Sequence, residues 1–299
     1  SDGIDRQAFT RVVRADPARK GLLYAGTESG LYISFDDGNH WSPFQCNLPI
    51  VPITDLAVKN GDLIVATQGR SFWLMDDLSP IHQWTPKLID KEMQLFEARP
   101  TLRMRGGGSK SPGRTAGQNA LAGVPIRFYV KDVPNEKMQT ELQLLDPTGD
   151  VIQTFSTKPD LDRKQKKLNL VAGFNELRWD MRYPGAETFE GLVLWGGGTR
   201  GPVAVPGIYQ AKLTVSKPFS DEGVSASTEN IIFSQTIDFK IEKDPRSSAT
   251  PGDFQAQFKF LIGVRDKLSE IHLAIKSTRD IREQLKSLRD RLEKAGGNE

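Results

Sequence analysis

Two pairs of adjacent carboxylates mark this chain, Asp36-Asp37 and Asp76-Asp77. Paired acids can cleave a glycosidic bond, one giving a proton while the other acts as base or nucleophile. The first pair lies in Ser34-Phe35-Asp36-Asp37-Gly38-Asn39-His40-Trp41, an S-x-D-x-G-x-x-W pattern. Each of those residues also has a part in a tight hairpin. The aspartates can fold a carboxylate back onto the turn's own N–H groups, and Gly38 accepts a positive φ. Trp41 opens the return strand and can lay its indole across the turn. The second pair recurs at the matching place, Asp77 standing 41 positions after Asp36. Matched placement favours turn closure, so Ser34, Asp36, Gly38 and Trp41 read as structural and no residue is assigned a catalytic role.

The remaining chemistry-bearing residues are scattered. His40, His82 and His272 stand in three different contexts with no pair at ligand spacing, so no metal site is expected. Cys46, the only cysteine, has no base beside it and reads as buried or interfacial filler. Gly108-Ser109-Lys110-Ser111 lacks the spacing of a phosphate-binding loop and reads as linker. No cofactor is expected.

The elements that must position these residues repeat. Leu22 to Thr27, a turn at Gly30 and Leu31 to Ser34 lead into the first acid pair. Leu63 to Thr67, a turn at Gly69 and Phe72 to Met75 lead into the second. A period of about 40–45 residues with several short strands per unit is the spacing of β-propeller blades. Residues 1–98 are therefore expected to form two blades, the second degenerate because glycine and tryptophan do not follow its aspartates. Its outer strand is expected at Met93 to Phe96, after a short helix begun at Ser79-Pro80. Two blades do not close a ring, and the chain opens on Ser1-Asp2-Gly3, so further blades upstream are the expected partners. Strands that alternate in direction put the acid turns on one rim. Glu28, Gln68 and Arg70 fall on the other, where a guanidinium can clamp a carboxylate. These three are the candidate ligand-binding residues, for a carbohydrate or a peptide. Arg70 bracing a neighbouring blade is the competing reading.

Residues 99–122 read as a Gly/Ser-rich linker. Residues 123–246 carry period-2 runs such as Leu142 to Leu145, Val151 to Phe155, Tyr209 to Val215 and Phe233 to Ile241. With no helical period between them, they argue for an antiparallel β-sandwich, with Tyr183 to Val205 as a long loop. Residues 247–299 read as a helical segment. Thr250 is its N-cap, followed by Pro251 and Asp253, and an apolar seam of coiled-coil type needs a partner helix or a second copy. The fold class is thus mainly β, with partial propeller blades, an Ig-like sandwich and a long C-terminal α-helix. A formal net charge of +2 gives no global field toward nucleic acid, and no run reaches the roughly 20 apolar residues of a membrane span.

Thr10 to Asp16-Pro17, Gly21 to Thr27 and the S-x-D-x-G-x-x-W turn, an Asp-box, resemble the C-terminal part of bacterial BNR-repeat (Asp-box) proteins. These are sortilin-like propellers often labelled glycosyl hydrolases. Val65 to Trp73, Trp179 to Pro184, Val205 to Tyr209 and Phe258 to Ile275 extend the resemblance over nearly the whole chain. It implies last propeller blades, an Ig-like sandwich of FlgD type, a terminal helix and a secreted or periplasmic location, which a single cysteine permits. The incomplete ring, the missing catalytic inventory and the long seam helix favour a non-catalytic scaffold or binding module. The alternative is an accessory part of a BNR-repeat glycoside hydrolase whose catalytic residues lie mostly upstream. Only Arg70 here could join a sialidase-like arginine clamp, and Gln68 stands where the family often has histidine.

Overall fold

The computed structural model describes residues 2–104, 121–217 and 230–296. They divide into two compact units. Unit 1 holds residues 2–99, 121 and 127–131, and unit 2 holds 100–104, 122–126, 132–217 and 230–296.

In unit 1, β1 (Thr10–Ala15), β2 (Leu23–Thr27), β3 (Leu31–Ser34) and β4 (Ser42–Pro43) form an antiparallel sheet in sequence order. A second such sheet follows, of β5 (Ile53–Lys59), β6 (Asp62–Thr67) and β7 (Phe72–Met75). Neither sheet buries enough apolar surface alone. Both contribute to one core, in which Leu22, Tyr24, Ile53, Leu56, Leu63 and Leu78 are fully buried. Burial of each such side chain stabilises by roughly 1.5–3 kcal/mol. Gly26 sets how closely the sheets approach, because a Cβ there would lie 2.5 Å from Ile53 Cγ2 and 2.9 Å from Val12 Cγ1. Arg14 ties them again, donating to the Leu56 carbonyl at 2.9 Å and to Asp55 at 2.6 Å.

After β7 the chain turns into α1 (Ser79–Gln83), with proline at its start as expected. It continues through a 3₁₀ turn, Pro86–Asp90, to β8 (Met93–Leu95). The sequence reading placed β8 as an outer strand of the second sheet. It instead pairs antiparallel with the end of β10 (Val124–Val130), Met93 opposite Val130, β9 (Thr101–Arg103) lying between them in sequence. The helix begun at Pro80 carries the chain away from β7 before it can pair there.

In unit 2 the remaining strands are β11 (Gln139–Leu145), β12 (Val151–Ser156), β13 (Lys166–Lys167), β14 (Gly173–Trp179), β15 (Gly207–Lys217) and β16 (Asn230–Lys243). Five of them, with β9, form one sheet in the order β13-β12-β11-β15-β16-β9, while β14 pairs with β10. The β11–β12 hairpin turns at Asp146–Asp150 as the sequence indicated, Asp146 N–H donating to the Asp150 carbonyl at 2.9 Å. Along β16, Ile237, Phe239 and Ile241 are buried and Asp238, Lys240 and Glu242 are not. The sheet is not wholly antiparallel, since β13 pairs parallel to β12 and β9 parallel to β16. Strand β9 arises inside the stretch read as linker, whose residues 105–120, with Gly108-Ser109-Lys110-Ser111, lie outside the described residues. Trp179 of β14 reaches the sheet's inner face, its ring 5.6 Å from that of Tyr209 and 5.9 Å from that of Phe239.

The chain ends in α2 (Pro251–Gly296), about 69 Å long at 1.5 Å per residue. Its N-terminus is the capping box read from sequence. Thr250 Oγ1 accepts from the Asp253 N–H at 3.2 Å, and Asp253 accepts from the Thr250 N–H at 2.8 Å. The 183–205 loop packs along this helix. Phe258 meets Tyr183 edge-on at 4.8 Å, Ser269 accepts from the Glu187 N–H, and His272 is buried against the Glu187 carbonyl and the Phe189 ring. Trp195 at the loop's far end is fully exposed. The chain is thus mainly β with a single long C-terminal helix, and among the described residues no helix is long and apolar enough to cross a membrane.

Candidate functional site

At the first acid pair the turn is closed from within. Ser34 Oγ donates to Asp36 Oδ1 at 2.9 Å and accepts from the Gly38 N–H at 2.9 Å. The same Asp36 oxygen accepts from the His40 N–H at 2.9 Å, and the second oxygen meets His40 Nδ1 at 2.6 Å. Trp41 lies 8% exposed across the turn and donates from Nε1 to the Gly38 carbonyl at 3.1 Å. Gly38 (φ 87°) and Asp37 (φ 61°) take the left-handed conformation the hairpin requires. The His40 backbone N–H, then its ring, hold the Asp36 carboxyl down to about 2, and Asp36 in turn raises His40. A carboxylate so held is a poor proton donor at neutral pH.

The second pair closes its turn by other means. Asp77 again takes a left-handed φ, 65°, and its N–H donates to Asp62 Oδ1 at 2.8 Å. Its carboxylate, 3% exposed, accepts from the Ser79 hydroxyl at 2.5 Å and pairs with Arg127, itself 12% exposed. Arg99 joins through Asp62 at 2.6 Å. Burial works to raise Asp77, but the Ser79 hydrogen bond and the Arg127 charge outweigh it and leave the carboxyl below its ordinary value. Asp36 and Asp77, one acid of each pair, are therefore held ionised and engaged.

A third cluster was not visible in sequence. Asp16, buried, accepts from the Ala18 and Arg19 N–H groups through one oxygen. The other meets Tyr24 Oη at 3.1 Å and His82 Nε2 at 2.9 Å. Asp16 and His82 are 66 positions apart, so no local spacing could join them, and Asp16-Pro17 reads simply as a turn. Burial, then the Asp16 charge, push the Tyr24 phenol far up, so it remains a donor and cannot serve as a nucleophile. The cluster fastens α1 to the first sheet.

The three rim candidates occupy turns of the same kind. The Thr27 N–H donates to the Gly30 carbonyl and the Thr67 N–H to the Ser71 carbonyl, while the Glu28 and Gln68 N–H groups bond to Phe9 and Pro52. Their side chains do not converge through any hydrogen bond or ion pair among the described residues. Glu28 pairs with Arg11 at 2.6 Å, and Arg70 is exposed, offering its carbonyl to Trp73 Nε1 at 3.0 Å. Cys46, read as buried or interfacial filler, is exposed, so it is not buried within this chain, and it takes a positive φ of 46°. Phe72 is 78% exposed. No group of three His, Cys, Asp or Glu residues able to hold a metal ion occurs among the described residues.

Unit 2 carries a cleft of about 990 Å³ that sequence reasoning missed. Five arginines line it, Arg103, Arg182, Arg200, Arg246 and Arg265, against two aspartates, Asp244 and Asp253. They come from β9, the connection between β14 and β15, the segment before α2 and α2 itself, so only the folded unit gathers them. Arg246 grips Asp244 through Nε at 2.9 Å and Nη2 at 2.7 Å and holds that carboxyl at about 2. Asp253 is held low by the Thr250 N–H and hydroxyl. Arg182 gives Nη1 to the Gly201 carbonyl at 2.7 Å, and Arg200 is 3.8 Å from Asp180 with its side chain 75% exposed. Phe254, Leu261 and Leu268 supply an apolar wall. Guanidinium groups bind carboxylates or sulfates in bidentate fashion, and an apolar wall holds a ligand's body. Both acids here are ionised, so the cleft offers binding and no proton donor. No protein-family model, no curated protein and no solved structure matches this chain.

Proposed function

We propose that this chain is a non-catalytic scaffold and binding module of an extracytoplasmic, secreted or periplasmic Asp-box propeller protein. In this reading the two sheets of unit 1 are blades, unit 2 is an Ig-like sandwich, and its arginine-lined cleft takes a ligand bearing carboxylates, sugar or peptide. The supporting observation is how the carboxylates are used. Asp36, Asp77, Asp244 and Asp253 are each engaged by local donors that stabilise the ionised form. A glycosidase needs one acid kept protonated near neutral pH, which requires the opposite environment.

Calorimetric titration of the whole chain with a uronic-acid oligosaccharide, and separately with an oligoglutamate peptide, tests this. At least one is expected to bind, with roughly tenfold loss on Arg182→Ala with Arg200→Ala, two charge-assisted contacts being removed. Turnover of an aryl glycoside that depends on Asp36 or Arg70 would contradict it.

A further inference from the structure

The long helix α2 has two faces with different fates. One face, through Phe258, Ser269 and His272, is taken up by the 183–205 loop. The other carries an apolar row in steps of four and three, including Val264, Ile271, Ile281, Leu285, Leu288 and Leu292. These six are between 48 and 63% exposed. Such spacing is that of the a and d positions of a coiled coil, and a row this long has no reason to face water.

Charge at the flanks says what belongs on it. In the register that places Leu285 and Leu292 at a, the bordering e and g positions of the last two turns of the heptad are Arg282, Gln284, Arg289 and Arg291. The acids of this stretch, Glu283, Asp290 and Glu293, fall outside the seam, where Arg282 and Arg289 reach them at 3.2–3.7 Å. A second copy in parallel would set Gln284 against Arg289 and Ser277 against Arg282, with no attractive pair. In an antiparallel pairing centred here, Arg282 would face Arg289. Like charges across a seam oppose pairing, and opposite charges select a partner.

We propose that this face docks an amphipathic helix of a partner protein, with an apolar a/d row flanked by Asp or Glu. The apolar row supplies the contact area and the three arginines select the acidic flanks. Of the six exposed residues of the row, only Val264 lines the arginine-lined cleft. The stretch from Ile281 to Leu292 with its arginines lies outside it, so the proposal does not depend on the function assigned to the cleft.

The test uses the full chain and two synthetic helical peptides of four heptads, each with Leu at a and d, one with Glu and one with Lys at e and g. Fluorescence anisotropy at low salt is expected to show roughly tenfold or greater preference for the Glu peptide, weakening as salt screens the pairs. Arg282→Glu with Arg289→Glu and Arg291→Glu should reverse that preference. Leu285→Asp with Leu288→Asp should abolish binding, while circular dichroism and thermal melting stay those of the parent, since both residues are exposed. Arg182→Ala with Arg200→Ala should leave peptide binding unchanged. Equal binding of both peptides, binding of neither, or self-association of the chain that buries Leu285 would each overturn the proposal.

Discussion

Asp36 and Asp77 sit at corresponding turns of two successive hairpins, yet each carboxylate is used differently. The Asp36 carboxylate serves only its own turn, with Ser34 and His40 as partners within four residues. Asp77 serves the wider unit, gripping Ser79 beside it and Arg127, 50 positions away on β10. The tryptophan explains much of this. Asp2 braces the first turn from outside, its carbonyl accepting from the Trp41 N–H at 2.8 Å, and Trp41 itself seals the hairpin. Where Leu78-Ser79-Pro80 replaces it, the chain leaves the sheet, and the spare aspartate fastens the strand that arrives later. A motif can thus degenerate in sequence while its acid acquires a new structural duty.

Asp77→Ala should break this comparison most severely. It removes the buried carboxylate that pairs with the poorly exposed Arg127, and loss of one partner from a buried pair costs about 3–5 kcal/mol. Chemical denaturation would measure it, and Asp77→Ala combined with Arg127→Ala should recover part of the loss. Asp36→Ala comes next. Its partners are local and solvent-accessible, so the same experiment should show a clearly smaller destabilisation than Asp77→Ala. A loss equal to that of Asp77→Ala would mean the two turns are alike after all.

The third expectation concerns pH. His40 is raised above its ordinary 6.5 by Asp36, so its contribution is complete below pH 6.5 and fades as pH rises through the folded-state value. Asp36 is lowered from 3.8 to about 2, so its contribution is complete above 3.8 and is lost as pH falls through about 2. The first hairpin should be most stable between those limits, and His40→Gln should remove the decline on the alkaline side. Thermal melts across pH would show it. Smallest of all is Arg70→Ala, an exposed change expected to alter stability by no more than about 0.5 kcal/mol.

Much of the architecture was legible because it is local. The repeat in unit 1, the Asp146–Asp150 hairpin, the alternation of β16 and the Thr250–Asp253 cap all depend on residues close in sequence. Distant partnerships were not. Strand β8 pairs with β10, Asp16 meets His82, and five arginines from separate segments line one cleft. Nothing in the spacing of those residues encodes the turns that bring them together.

The central claim is that Asp36, Asp77, Asp244 and Asp253 are held ionised and committed to structure. Carboxyl carbon chemical shifts followed by NMR from pH 2 to 8 address it directly. Asp36, Asp77, Asp244 and Asp253 are expected to titrate below the ordinary 3.8. Any of the four remaining protonated to near pH 6 would reveal a general acid and contradict the account.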